Sequence, residues 1–252
     1  MTIPPGAIVA YFSMEICLEQ AIPTYSGGLG VLAGDTLRAA ADLQLPMVAV
    51  SLVHRHGYFT QTLDAVGQQH EAPETWSPEK ILPEVQARAS VDIDGRRVVV
   101  RAFRYEVVGA SGHVVPVFLL DTNLDENSEW DRTLTDCLYG GDSHYRLCQE
   151  VVLGMGGAAI LEGLGYAEDA QYHINEGHAA LLTLTLLERE LAGRSRQDIS
   201  EALLERVRRR CIFTTHTPVP AGHDRFDEAQ YKSVLGDDRA QLLVDARAVD
   251  DH

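Results

Sequence analysis

Apolar and polar positions change period several times along the chain. Residues 7–15, AIVAYFSME, form a nearly unbroken apolar run with β-branched and aromatic members. Such a run predicts a strand buried on both faces. From Leu29 the apolar residues fall at Leu29, Leu32, Ala33, Leu37, Ala40 and Leu43, which is helical spacing, and Pro46 ends the helix near Gln44. MVAVSLV (47–53) is a second buried strand. Strand, glycine-rich turn, helix and strand make a βαβ unit, which predicts a parallel sheet.

Residues 64–86 are polar and contain proline, and predict an extended loop region. Residues 87–108 alternate around Asp94-Gly95, the signal for a β-hairpin. HVVPVFLLD (113–121) predicts another strand. Leu147, Val151, Met155, Ala158 and Leu161 mark a helix, and its small residues in GMGGAA allow close packing. A strand at 171–175, helices at 178–192 and 197–210, and a strand at 211–218 ending in a polar turn complete the pattern. The tail QLLVDARAVDDH ends without an evident strand or cap, which predicts a chain incomplete at its C-terminus.

Composition narrows this picture. At 252 residues the chain supports one large domain or two small ones. A net charge of −16 argues against nucleic acid or an anionic membrane as partner. Cys17, Cys137, Cys148 and Cys211 are widely spaced, give no zinc or redox motif, and read as reduced thiols of a cytoplasmic protein. The N-terminus lacks the pattern of a signal peptide, and no apolar run reaches membrane-spanning length.

Three segments carry candidate chemistry, and each begins where a predicted strand ends. The first is the glycine turn PTYSGGLGVLAGD (23–35). A turn opening a helix leaves backbone N–H groups that favour an anion, and glycines let a ligand approach. The pattern is neither GxGxxG nor a Walker motif, and a ligand-free βα turn explains it equally well. The second is HINEGHAALL (173–182), with Asn175, Glu176 and His178; helix capping is the competing reading. The third is TTHTPVPAGHDRF (214–226), with Thr215, His216, Thr217 and His223 on a loop stiffened by Pro218 and Pro220; a histidine satisfied within the turn is the competing reading. In a doubly wound sheet such strand ends converge on one edge. His54 and His56 form an HxH pair that a strand would point to one face, but no third ligand lies nearby and no metal site is expected. Arg146 and Glu150 read as a helix-surface ion pair.

Beyond this physical reading, residues 8–226 resemble the bacterial α-glucan (glycogen, maltodextrin) phosphorylases. The resemblance rests on four ordered blocks: YFSMEICLEQAIPTYSGGLGVLAGD with its continuation to HRHGYFTQ, LYGGDSHYRLCQEVVLGMGGAAILEGLG, YHINEGHAALLTLTLLE and FTTHTPVPAGHDRF. It implies an α/β fold, the Rossmann-like N-terminal half of a two-domain GT-B glycosyltransferase, spanning residues 1–252. It implies phosphorolysis of α-1,4-glucan by inorganic phosphate to glucose 1-phosphate, with retention. The implied cofactor is pyridoxal 5'-phosphate, acting through its phosphate group. Gly27, Gly28, Leu29 and Gly30 match the phosphate-facing loop. His216 matches the catalytic sugar-site histidine, with Thr217 beside it. Asn175, Glu176 and His178 match a block near the glucan. A homo-oligomer is left open.

This sequence departs from the pattern in places. Ser26 stands where animal-type members carry Asn, and Ala159 where an arginine is common. The lysine that holds pyridoxal phosphate, and the main basic phosphate ligands, belong to a second domain not found in these residues, so this chain alone is expected to be inactive. Two alternatives follow: a nucleotide-sugar glycosyltransferase of the glycogen synthase type, which has lysine where Tyr25 stands, and a truncated non-catalytic glucan-binding domain.

Overall fold

The computed structural model describes residues 7–72, 74–168, 170–217 and 224–248. Pro218, Pro220 and His223, singled out above, and the last residues of the tail lie outside that range.

Ile8–Phe12 is β1, Gly28–Asp42 is α1 and Met47–Leu52 is β2. β1 pairs with β2 in parallel, Val9 opposite Met47, so the expected βαβ unit is present. The hairpin forms as β5 (Ala89–Ile93) and β6 (Arg96–Val108), turning at Asp94 and Gly95, both at positive φ. Val114–Asp121 is β7, antiparallel to β6 and parallel to β2. Ala170–Asn175 is β8 and Cys211–Thr214 is β9. The seven-stranded sheet runs β5-β6-β7-β2-β1-β8-β9. Its five parallel strands therefore follow the Rossmann order 3-2-1-4-5, with the switch of winding direction between β1 and β8.

The sheet is buried on both faces, which is why its central strands read as unbroken apolar runs. On one face Val9, Tyr11, Ala49 and Leu119 pack with Ala33, Leu37, Ala40 and Ala41 of α1. On the other, Ala10, Phe12, Val50 and Leu120 meet a long helical segment. It consists of α3 (Ser143–Val151), a π-turn (Val152–Gly156) and α4 (Gly157–Gly163). A Cβ on Gly157 would lie 2.7 Å from Phe12 and 2.9 Å from Val50, so the small residues do let this helix sit directly on the sheet. α5 (Leu182–Leu191), α6 (Glu201–Arg209), α7 (Glu228–Leu235) and α8 (Asp237–Asp245) extend that layer. Among the described residues no helix is long and apolar enough to cross a membrane.

Several expectations are corrected. Residues 64–86 are not merely loop. β3 (Thr60–Leu63) and β4 (Gln69–Ala72) form a separate antiparallel hairpin, followed by the short helix α2 (Pro78–Ile81). Both strands are almost wholly exposed, so no buried face imprints alternation on their sequence. The turn is held by the Asp64 carboxylate, which accepts from the N–H groups of Val66 and Gln68, both at 2.9 Å. The expected helix at 178–192 splits into a 3₁₀ turn, Gly177–Ala179, and α5.

The HxH pair does not share a face. β2 ends at Leu52, and His54 takes φ 44°, which turns it inward. His54 is fully buried and its Nε2–H donates to the Met14 carbonyl at 2.8 Å. Burial pushes its pKa down to about 4, against the pull of that carbonyl. The unfolded chain takes up this proton near pH 6.5 and the folded chain refuses it until about pH 4. Stability is therefore intact above pH 6.5 and falls as pH drops through that window, by at most about 3 kcal/mol. Urea unfolding across the window should give a shallower pH slope for His54→Asn, which tolerates positive φ but cannot titrate. An unchanged slope would assign the acid lability elsewhere.

Candidate active-site cleft

The carboxyl ends of β1, β8 and β9 meet at the switch point, and a cleft of about 470 Å³ opens there. Glu15, Gly28, Leu29, Tyr139, Arg146 and Asp224 line it together with Glu176, His178 and Thr217. Three segments distant in sequence thus converge, as the sheet topology predicts.

Gly27 caps α1 with extended backbone, and Gly28 begins its first turn. The first N–H groups of a helix have no partner in its own ladder. Two amides at this end of the chain are taken by a side chain that the sequence pattern did not single out. Oε2 of Glu15 accepts from Ser26 N–H at 2.8 Å and from Gly27 N–H at 3.3 Å. Its Oε1 accepts from the Tyr139 hydroxyl at 2.7 Å. Burial first, and the Glu15 carboxylate next, hold the Tyr139 phenol well above its ordinary value, so it stays a donor. Glu15 is buried and directly follows β1. A carboxylate at the end of an apolar run is the signal that could have revealed it. The amides of Gly28, Leu29 and Gly30 are not among those this carboxylate takes.

The glycines of the loop differ in what surrounds them. A Cβ on Gly27 or Gly28 would meet no atom within 4 Å, whereas one on Gly30 would lie 2.4 Å from Tyr25 Cβ and 2.8 Å from Glu15 Oε2. Gly30 is required by the protein's own packing. Gly27 and Gly28 are not, and neither has positive φ, so backbone strain does not explain them.

At the end of β8, Asn175 and Glu176 are both buried. The Asn175 Nδ2 group donates to Ser13 Oγ at 3.2 Å, and Ser13 donates in turn to the Glu15 carbonyl at 2.8 Å. His216 Nε2–H donates to Asn175 Oδ1 at 3.0 Å. Hydrogen bonds therefore run from the β9 loop through β8 to β1 and the glycine loop. Glu176 has φ 62° and ψ −177°, a region close to glycine-only. Its carboxylate explains how that backbone is held. It accepts from Thr215 Oγ1 at 3.0 Å, from the backbone N–H groups of His216 and Thr217, and from Thr217 Oγ1. Burial alone would raise its pKa, but these donors outweigh it and hold the carboxyl below the usual range. Glu176 thus anchors the loop that carries His216. The His178 ring stacks at a tilt on Tyr139, with centroids 5.9 Å apart.

Arg146 and Glu150 are not a surface pair. Arg146 forms an ion pair with Asp224, Nε to Oδ1 2.8 Å, at the cleft wall. Glu150 is buried behind it, and burial followed by repulsion from Asp224 pushes its pKa up to about 8, with Arg146 opposing. The charge of the cleft is lopsided: Glu15, Glu176 and Asp224 against Arg146. The cleft offers acceptors for hydroxyl groups and neutral N–H donors at one helix end, and little net positive charge.

No protein-family model matches the chain. Among curated proteins, it is 40% identical to a glycogen phosphorylase of Mycobacterium tuberculosis, over 96% of this chain and 29% of that protein. It is 40% identical to a maltodextrin phosphorylase of Thermococcus litoralis, over 90% of this chain and 27% of that protein. A glycogen phosphorylase of Aquifex aeolicus is 31% identical over 84% of the chain and 30% of its own length. The chain thus spans less than a third of the length of these relatives.

Proposed function

We propose a function from one premise: the chain belongs to the family of the glycogen and maltodextrin phosphorylases. On that premise the protein is a retaining α-glucan phosphorylase, and these residues are the Rossmann-like N-terminal half of a GT-B fold. α-1,4-Glucan and inorganic phosphate are its substrates. The observation that carries this reading is the chain of contacts from His216 through Asn175 and Ser13 to Glu15, whose carboxylate holds the start of the glycine loop. It gives a sugar-facing residue and an anion-facing loop one common frame.

The roles follow from donor and acceptor chemistry. The Gly28, Leu29 and Gly30 amides meet phosphate oxygens as uncharged donors at a helix N-terminus. His216, held at Nε2 by Asn175, presents its Nδ1 side to a sugar hydroxyl. Thr217 and His178 line the cleft next to the His216 loop, and Glu15 and Tyr139 fix the glycine loop. The carboxylate excess of the cleft implies that cationic phosphate ligands come from the remainder of the longer protein.

Pyridoxal phosphate, which the family implies, fits this half in part. The open space at Gly27 and Gly28 and the helix-end amides suit a phosphate group. When bound, that group supplies proton exchange to the substrate phosphate. No lysine of this cleft can bond its aldehyde. The chain has two lysines, Lys80 on α2 and Lys232 on α7, and the latter pairs with Glu228. Borohydride reduction of the 252-residue chain with pyridoxal phosphate, followed by peptide mass spectrometry, should give no site-specific pyridoxyl adduct. A stoichiometric adduct at either lysine would contradict the division of labour.

The functional reading itself is tested by assaying this chain and a product of the relatives' full length with maltodextrin and phosphate. Glucose 1-phosphate is expected from the longer product alone. Transfer from a sugar nucleotide without phosphorolysis would replace the assignment by a synthase.

A further inference from the structure

α3 presents two faces with different chemistry. Arg146 reaches the cleft, while His144 and Cys148, four residues apart, share the opposite side of the helix and face the β5–β6 turn. Asp94 projects from that turn. His144 Nε2 lies 3.1 Å from Asp94 Oδ1, and Cys148 Sγ lies 3.9 Å from His144 Nδ1. One ligand atom from each of Asp94, His144 and Cys148 falls within 4.8 Å of the others.

We propose that Asp94, His144 and Cys148 form a binding site for a thiophilic divalent cation of the zinc class, separate from the glucan cleft. Thiolate, imidazole and carboxylate are the donor set such ions take, and three protein ligands leave a position for water. Bond lengths of about 2.3 Å to sulfur and about 2.0 Å to nitrogen place tetrahedral ligands roughly 3.5 Å apart. Different ring nitrogens of His144 face Asp94 and Cys148, so binding requires the ring to turn until one nitrogen serves the ion, and His144 and Asp94 are both partly exposed. Cys148 is buried, so an ion enters from the side of those two residues.

The frame around the three ligands is set independently of any ion. Asp94 N–H donates to the Val234 carbonyl of α7 at 3.0 Å, which fixes the turn. Asp142 caps α3, accepting from Tyr145 N–H at 2.9 Å, which fixes the first turn carrying His144. Ligating carboxylates are commonly hydrogen-bonded at their second oxygen. Arg96 supplies that contact, with Nη2 3.3 Å from Asp94 Oδ2. Its stronger commitment is to Asp131, through Nε at 3.1 Å and Nη2 at 2.9 Å, so its charge is neutralised beside the site. After burial, the charges of Asp94, Asp131 and Asp142 also disfavour the Cys148 thiolate, with Arg96 opposing. Burial pushes the thiol up to about 12. Binding therefore replaces the Cys148 proton, which leaves to solvent as the Cys–metal bond forms. The spacing of these residues in sequence, 94, 144 and 148, hides the site from motif reading.

Cobalt(II) titration tests the proposal on the untagged 252-residue chain, kept reduced with a phosphine. Wild type should bind one cobalt with a thiolate-to-metal charge-transfer band and tetrahedral visible bands, and zinc should bleach both. Cys148→Ser should lose the charge-transfer band although Cys17, Cys137 and Cys211 remain. Asp94→Asn should weaken binding at least about tenfold. Should Cys148→Ser not fold, His144→Ala, altering a partly exposed side chain, must lose the band instead. Absence of any band in wild type at millimolar cobalt overturns the site. So does a band that survives Cys148→Ser or His144→Ala.

Discussion

Gly28→Ala should leave the chain folded and slow the phosphorolysis proposed for the longer protein on the order of 100-fold, whereas Gly30→Ala should unfold the loop itself. The contrast follows from what each added methyl meets. At Gly28 there is open cleft and ordinary backbone, and alanine in a first helical turn is favoured over glycine by up to about 1 kcal/mol. The melting temperature should hold or rise slightly. The same methyl stands over the amides proposed to meet phosphate, and losing such a donor set costs on the order of 100-fold in rate. At Gly30 the methyl collides with Tyr25 Cβ and with Glu15 Oε2, and Glu15 cannot retreat without releasing Ser26, Gly27 and Tyr139. That overpacking should cost about 3 kcal/mol or more. Calorimetry of both variants and phosphate-saturation kinetics of the full-length protein separate the cases. Wild-type kinetics in Gly28→Ala would remove the loop from phosphate binding.

The two variants also mark where sequence reading succeeds and where it stops. Strand, turn and helix around the glycine loop were legible because the sheet is covered on both sides. Val9 and Tyr11 serve one core, Ala10 and Phe12 the other, and an unbroken apolar run is the imprint of that arrangement. The convergence of Gly28, Glu176 and Thr217 on one cleft was legible because each lies beyond the carboxyl end of a parallel strand. What was not legible is how these residues are held. Glu15 meets Tyr139 across 124 positions and Asn175 meets Ser13 across 162, and no local period records such pairings. The helix-surface reading of Arg146 and Glu150 failed because i,i+4 spacing says that two residues share a face, not which surroundings that face meets. β3 and β4 went unseen for the converse reason: with both faces in water, their side chains need no alternation.

His216 should prove a positioning group for the sugar and not a proton carrier. Its loop is tied down by the Glu176 carboxylate, and its ring by an amide oxygen. A histidine that shuttles protons is typically oriented by a carboxylate that stabilises the imidazolium. Asn175 cannot supply that charge, and Asp224 is committed to Arg146. With Nε2–H donating to Asn175, the neutral ring keeps Nδ1 as an acceptor, the role proposed for it toward a sugar hydroxyl. His216→Asn retains a short hydrogen-bonding side chain but cannot titrate near neutrality. In the full-length enzyme it should lower kcat/KM about 100-fold, shared between kcat and KM, and leave both limbs of the pH–rate profile where they were. Asn175→Asp works in the opposite direction. A carboxylate against Nε2 favours the charged form of an imidazole. It should create a new limb in the profile, below which Nδ1 is protonated and can no longer accept, so the rate falls on the acid side. Loss of a limb in His216→Asn would make the histidine a general acid or base. An unaltered profile in Asn175→Asp would show that the 3.0 Å contact does not govern the ring.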